Sequence, residues 1–136
     1  MEPVNSRREI SLNLLRIVAG FLFVPHGATK LFGFPGHAPA HHPSLLSLFG
    51  LAGILEFFGG LAVLFGFFTQ PVAFVLCGEM AVAYWMAHGR RAHLPIVNHG
   101  ELAVLFCFVF LFLSANGANG GGRFSIDGRS RSRERA

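Results

Sequence analysis

The sequence has few charged residues, with 11 Lys and Arg and 7 Asp and Glu among 136 residues, or 13%. A soluble domain has about 25%. Hydrophobic residues make up 52% of the chain, and 16 of them are Phe. A single domain of this length could not bury so much apolar surface away from water. The composition therefore excludes an ordinary soluble domain and favours a protein that is solvated by lipid.

Cysteine is also scarce, and the usual catalytic motifs are absent. The two cysteines, Cys77 and Cys107, form no CxxC pair, which excludes a disulfide framework and a thiolate zinc site. We interpret both as small buried hydrophobic residues. The chain contains no phosphate-binding glycine loop and no nucleophile motif. The sequence therefore gives no sign of autonomous catalysis, and we predict no metal site.

The seven histidines offer two weaker hypotheses. A metal site would use three histidines of one loop, but three prolines and two glycines leave that loop without an obvious fixed geometry. A haem would use three histidines near the apolar segments, but no facing pair is evident at one depth. The residues are His37, His41 and His42 for the metal, and His26, His88 and His99 for the haem.

Four apolar blocks dominate the chain, and each is close to the roughly 17–25 residues that cross a bilayer as a helix. None shows the alternation of a membrane strand. We therefore predict an all-α fold: one integral membrane domain over residues 1–136, built as an antiparallel up-down-up-down four-helix bundle. The predicted helices cover about 7–32, 44–68, 71–88 and 98–115, and a flexible tail rich in Gly and Arg covers 116–136.

Positive charge is concentrated at the two ends of the chain. Arg7 and Arg8 precede the first block, and five arginines follow the last. The positive-inside rule then predicts a multi-pass protein of the bacterial inner membrane with both termini in the cytoplasm. Nucleic-acid binding is an alternative explanation of the charge that we do not favour. A cleaved signal peptide is not favoured either, because the first block is too long and contains Arg16 and Lys30.

Several polar residues lie inside the apolar blocks, where a charge costs a few kcal/mol and normally faces the protein interior. With 100° of rotation per residue, each helix can turn its polar residues toward the others. We predict one polar cluster in the outer half of the bundle, while Arg16 serves as a cation on the cytoplasmic side and extends toward lipid phosphates. The cluster comprises His26, Lys30, Glu56, Glu79, Asn98 and Glu101.

The cluster has two interpretations. Buried ion pairs can serve only to fix the helix register, but three carboxylates exceed what two cations need, which favours a ligand or proton site. Glycines share the faces of these helices, for example Gly53 and Gly60 beside Glu56. Such glycines permit close helix contact, so a homo-oligomer through these faces is a further prediction.

The order and spacing of several segments resemble the DoxX family of small bacterial four-helix membrane proteins. The segments are LRIVAGFLFVPHGATKLFG, GILEFFGGLAVLFGFFTQPVA, GEMAVAYW, NHGELAVL and GRFSIDG. The positions that match recurring family residues are Arg16, His26, Gly27, Lys30, Glu56, Gly59, Gly60, Glu79, Met80, Glu101, Ser125 and Asp127. The resemblance implies the four-helix fold. It also implies an association with quinone-linked oxidoreductases, because the family takes its name from a subunit of an archaeal quinone-linked sulfur oxidation system and a mycobacterial member is associated with a membrane oxidoreductase complex.

Three functions follow as hypotheses. The first is a membrane subunit that handles a non-covalently bound quinone and has a soluble oxidoreductase as its partner. The second is a non-enzymatic scaffold or accessory protein in the bilayer. The third is a small proton-coupled carrier, which would need dimerisation because four helices are few for a carrier.

Overall fold

The computed structural model describes residues 6–36, 44–116, 122 and 124–134, and over these residues it contains helices and no strand. This confirms the predicted all-α fold. Three of the helices are long and apolar enough to cross a membrane, and a fourth apolar helix has 15 residues. The helices are α1 (Ser6–Phe32), α2 (Leu48–Phe65), α3 (Thr69–His88), α4 (Pro95–Asn98), α5 (Glu101–Ala115) and α6 (Ile126–Glu134).

Helix α2 is shorter than the predicted span of 44–68. It begins after Ser47, whose hydroxyl accepts a hydrogen bond from the amide of Gly50 at 3.1 Å and so caps the first turn. It ends at Gly66, which has a φ of 70°, and the Phe67 amide bonds back to the carbonyl of Ala62 at 2.8 Å. This left-handed glycine cap leaves a short turn before α3.

The predicted fourth helix and the predicted tail both differ from the structure. The span 98–115 is interrupted at His99, whose φ is 58°, so α4 ends there and α5 begins at Glu101. Helix α6 lies within the stretch 116–136 that the sequence predicts as a tail without regular structure. Ser125 supplies the start signal, because its hydroxyl accepts a hydrogen bond from the Gly128 amide at 2.9 Å.

Glycines allow α1 and α2 to pack in direct backbone contact. A Cβ atom on Gly20 would lie 2.6 Å from the amide nitrogen of Leu64, and one on Gly27 would lie 2.7 Å from the Cα atom of Phe57. Gly60 on the facing helix is buried as well. These glycine faces are therefore used inside the chain. The predicted homo-oligomer interface stays a prediction, and these glycines of α1 and α2 are already occupied by contacts within the chain.

Helix α3 packs along α5, so the apolar helices form two pairs, α1 with α2 and α3 with α5. The pairs meet near the middle of α1, where Phe23 contacts Phe110 of α5 with ring centroids 4.8 Å apart. The buried apolar core comprises Leu12, Ala19, Phe23, Val63, Ala73, Leu76, Met80, Phe106, Phe110 and Leu113.

Large apolar side chains also cover the outer surface of the helices. Phe21 is 65% exposed, Phe74 67% and Phe108 62%. A water-soluble protein of this size rarely exposes apolar patches of such extent. Together with three helices of spanning length, this surface makes the chain a membrane protein whose outer faces contact lipid.

Candidate functional site

A cavity of about 910 Å³ separates the two helix pairs in the half of the molecule away from Arg16. Its wall is mostly apolar and is formed by side chains from α1, α2, α3 and α5. Phe23, Met80 and Phe106 belong both to this wall and to the core. Ligand sites typically combine such an apolar wall with a few placed polar groups, and the cavity contains both.

A salt bridge between α1 and α2 forms part of the wall. The Lys30 ammonium lies 2.5 Å from Oε1 of Glu56 and 5.4 Å from the centroid of the Phe49 ring. Glu56 is only 2% exposed, and its other oxygen, Oε2, is buried without a hydrogen-bond partner. It lies in a π-helical turn, Leu55–Gly59, a distortion that is frequent at functional sites.

Glu79 of α3 faces the same pair from the opposite wall. Its carboxylate interacts electrostatically with Glu56 and with Lys30. Both of its oxygens are buried and have no N–H or hydroxyl donor among the residues that the structure describes, and a hydrogen bond to the Glu56 carboxyl forms only when one of the two groups is protonated. The structure therefore brings together Lys30, Glu56 and Glu79, as the sequence predicted, and leaves three carboxylate oxygens of the group without donors.

His26 lines the cavity although its side chain is exposed, and its ring contacts those of Phe23 and Phe106 at centroid distances of 6.4 and 6.1 Å. His88 and His99 line the same cavity. Nothing in the sequence indicated that these three histidines line one cavity. The three loop histidines of the metal hypothesis, His37, His41 and His42, lie outside the described residues.

Asn98 and Glu101 do not belong to this group. The Asn98 amide donates hydrogen bonds to the carbonyl of Ala92 at 2.8 Å and to the Tyr84 hydroxyl at 3.2 Å, and its Oδ1 accepts one from the Gly100 amide at 2.8 Å. This buried side chain organises the loop before α5. Glu101 is exposed in the first turn of α5, where the positive end of the helix stabilises a carboxylate.

Arg16 differs most from its predicted role. Its side chain is 1% exposed, so it does not extend to lipid phosphates. Its guanidinium donates to the carbonyls of Val63, at 2.8 Å, and Leu64. These carbonyls lie in the last turn of α2, where helices leave carbonyl groups without partners. Arg16 therefore caps α2 from within the protein, a favourable place for a cation.

The first turn of α6 completes this end of the molecule. The Asp127 carboxylate accepts hydrogen bonds from the amides of Phe68 and Thr69, at 2.9 and 2.8 Å, and from the Thr69 hydroxyl at 2.9 Å. The amide of Asp127 donates to the carbonyl of Gly66 at 3.0 Å, and its carboxylate interacts electrostatically with Arg16. Asp127 thus caps the N-terminus of α3. We call this arrangement of Arg16 and Asp127 around the α2–α3 turn the clasp.

The family model of DoxX matches residues 11–89, which is more than half of the chain. The chain belongs to the DoxX family. A protein of Haemophilus influenzae, named only as an uncharacterized protein, is 36% identical over 126 residues, which cover 87% of this chain and 91% of the relative. The inner membrane protein YqjF of Escherichia coli K12 is 27% identical over 128 residues, with 88% and 91% covered. No solved structure matches.

The DoxX match includes every charged residue of the cavity wall, namely Lys30, Glu56 and Glu79, and it includes Arg16. It ends before Glu101 and Asp127. The part of this DoxX chain that matches the family therefore carries the charged group of the cavity and one half of the clasp, while α5 and α6 lie beyond it.

Proposed function

We propose that this DoxX protein binds a lipid-soluble quinone in the cavity between its two helix pairs and acts as the membrane subunit of an oxidoreductase. The observation that carries the proposal is the Glu79 carboxylate, buried without a hydrogen-bond partner in the wall of an apolar cavity of about 910 Å³. A quinone has the matching chemistry, because its ring and tail suit an apolar wall and its oxygens exchange protons when it is reduced or oxidised.

Different residues of the wall bind the ring and exchange protons with the ligand. Phe23 and Phe106, whose ring centroids lie 5.0 Å apart, offer aromatic faces to a flat ring. Glu79 and the Lys30–Glu56 pair hold or exchange protons at the ligand oxygens, the general acid–base role for which carboxylates are used. In this proposal the chain supplies binding and proton exchange, and a soluble oxidoreductase partner supplies or removes the electrons.

The proposal includes an arrangement in the membrane. The four apolar helices cross it in alternating directions, with both termini in the cytoplasm. Helix α5 has 15 residues and is roughly 22 Å long at 1.5 Å per residue, so α4 and the preceding loop would fill the rest of a core of about 30 Å. The similarity to the inner membrane protein YqjF and the basic ends of the chain support a location in the inner membrane.

The direct test is mass spectrometry of lipid-soluble molecules that co-purify with the protein in mild detergent. We expect a quinone in the wild-type sample, retained by the Glu101→Gln variant and lost or strongly reduced in Glu79→Gln. Glu101 is a matched control because it is an exposed carboxylate at the start of a helix. Equal quinone content in both variants, or a quinone-free wild type that still co-purifies with an oxidoreductase, would instead favour the scaffold function.

A further inference from the structure

Three carboxylate oxygens in the cavity wall lack a hydrogen-bond donor, which is a local imbalance between acceptors and donors. Glu56 Oε2 and both oxygens of Glu79 are buried without partners, and Glu56 itself is 2% exposed. Buried polar atoms in proteins are almost always hydrogen-bonded, so each exception needs a physical explanation. Three such atoms in the wall of one cavity indicate that a ligand completes them.

An ionised carboxylate can only accept hydrogen bonds, so the missing partner has to donate. The imbalance persists if Glu79 is protonated. Its single O–H could then donate to Glu56, but its second oxygen would still lack a donor. Lys30 does not remove the imbalance, because its ammonium lies against the other oxygen of Glu56 and the ring of Phe49.

We propose that the cavity binds the reduced, hydrogen-donating form of its ligand, a quinol, more tightly than the quinone. This inference rests on the proposed function and adds the redox state of the ligand. A quinone presents only carbonyl acceptors, which would face the acceptor oxygens of Glu79. A quinol presents a phenolic O–H, which donates to one of these oxygens. Charge-assisted hydrogen bonds of this type are among the strong ones in proteins.

The preference has a consequence for the bound ligand. A molecule that binds the reduced form more tightly raises the reduction potential of the bound couple. For a two-electron couple, each tenfold preference corresponds to about 30 mV. The Glu79 side of the cavity therefore makes the bound quinone easier to reduce and the bound quinol harder to oxidise.

The test compares three short-tailed probes with the same ring, under anaerobic conditions, by equilibrium binding to the full chain in lipid nanodiscs. The probes are the quinone, the quinol and the dimethyl ether of the quinol, which keeps the ring and both oxygens but cannot donate. We expect the quinol to bind at least tenfold more tightly than either of the others. In Glu79→Gln, which removes the ionisable acceptor, the quinol should lose most of its advantage over the quinone and over the dimethyl ether.

The possible failures are distinguishable. If the quinone and the dimethyl ether bind as tightly as the quinol, the inference on redox state is wrong and the quinone site itself stands. If none of the three probes binds, both proposals are wrong. The comparison of probes on the wild-type chain needs no variant, so the test remains decisive even if Glu79→Gln folds poorly.

Discussion

The contact between α1 and α2 can be tested by adding one methyl group. Gly27 is buried in α1, and a Cβ atom built on it would lie 2.7 Å from the Cα atom of Phe57 and 2.8 Å from the carbonyl oxygen of Gly53. Both neighbours are backbone atoms, so no side chain can rotate out of the way. The Gly27→Ala variant would therefore have to move the two helices apart.

The size of the effect follows from these distances. Non-bonded heavy atoms are most favourable at about 3.5–4.0 Å, so the local helix separation has to grow by roughly 1 Å. Overpacking of this kind costs about 1–3 kcal/mol. Alanine is also favoured over glycine in a helix by about 0.5–1 kcal/mol, which partly hides the packing cost. A matched variant that gains only the helix preference is therefore needed.

Gly78 provides this control. It lies inside α3 and is exposed, and a Cβ atom on it would meet nothing within 4 Å. Because both variants gain the same preference, the difference in their free energies of unfolding isolates the packing cost. We expect Gly27→Ala to be less stable than Gly78→Ala by about 1–3 kcal/mol in reversible unfolding by sodium dodecyl sulfate in mixed micelles. Equal stability would refute the close backbone contact and the pairing of α1 with α2.

Three further predictions use other parts of the structure. The Glu56→Leu variant leaves Lys30 without its counter-charge. Its free energy of unfolding should fall by up to about 3 kcal/mol, the low end of the roughly 3–5 kcal/mol for breaking a buried pair, because the Lys30 side chain is 23% exposed. Thermal melting in detergent should show a larger decrease in melting temperature than in Glu101→Leu, and an unchanged melting temperature would contradict the prediction. The Asp127→Ala variant removes the cap of α3 and should lower the free energy of unfolding by about 0.5–2 kcal/mol. The amide hydrogens of the α2–α3 turn should exchange faster than in Asp127→Asn, which keeps a side-chain acceptor. Identical exchange rates in the two variants would exclude the clasp. A reporter fused after Ala136 should be active in the cytoplasm, and activity in the periplasm would reverse the orientation.

The buried faces of α1 and α2 could be predicted from the sequence because both carry glycines beside polar residues. On α1, the stripe of Arg16, Gly20, Phe23 and Gly27 is buried as its spacing indicates. Small and polar residues are the ones that a lipid-facing surface does not need, so in a membrane helix they mark the side that packs against protein.

The face of α5 could not be found in this way. Glu101, Leu105 and Phe108 share one face of the helix by their spacing, and all three are exposed, whereas the helix packs through Phe106 and Phe110. Apolar residues surround α5 on every side, so its sequence contains no amphipathic signal. Its one carboxylate lies in the first turn, where the helix end stabilises it, and so says nothing about which side faces the protein.

The surroundings of Arg16 and Lys30 explain why these two cations in the apolar part of α1 have different roles. Both were expected to need a carboxylate or a phosphate, but a cation inside a membrane protein can also be satisfied by helix carbonyls. Arg16 reaches the last turn of α2, where the helix ends and its carbonyls can accept bonds from a side chain, and the planar guanidinium can serve two of them at once. Lys30 lies beside the middle of α2, where the carbonyls are already bonded within the helix, so it requires Glu56. The depth at which each cation meets its neighbour, which only the paired helices fix, therefore decides that Arg16 stabilises the fold and that Lys30 joins the cavity.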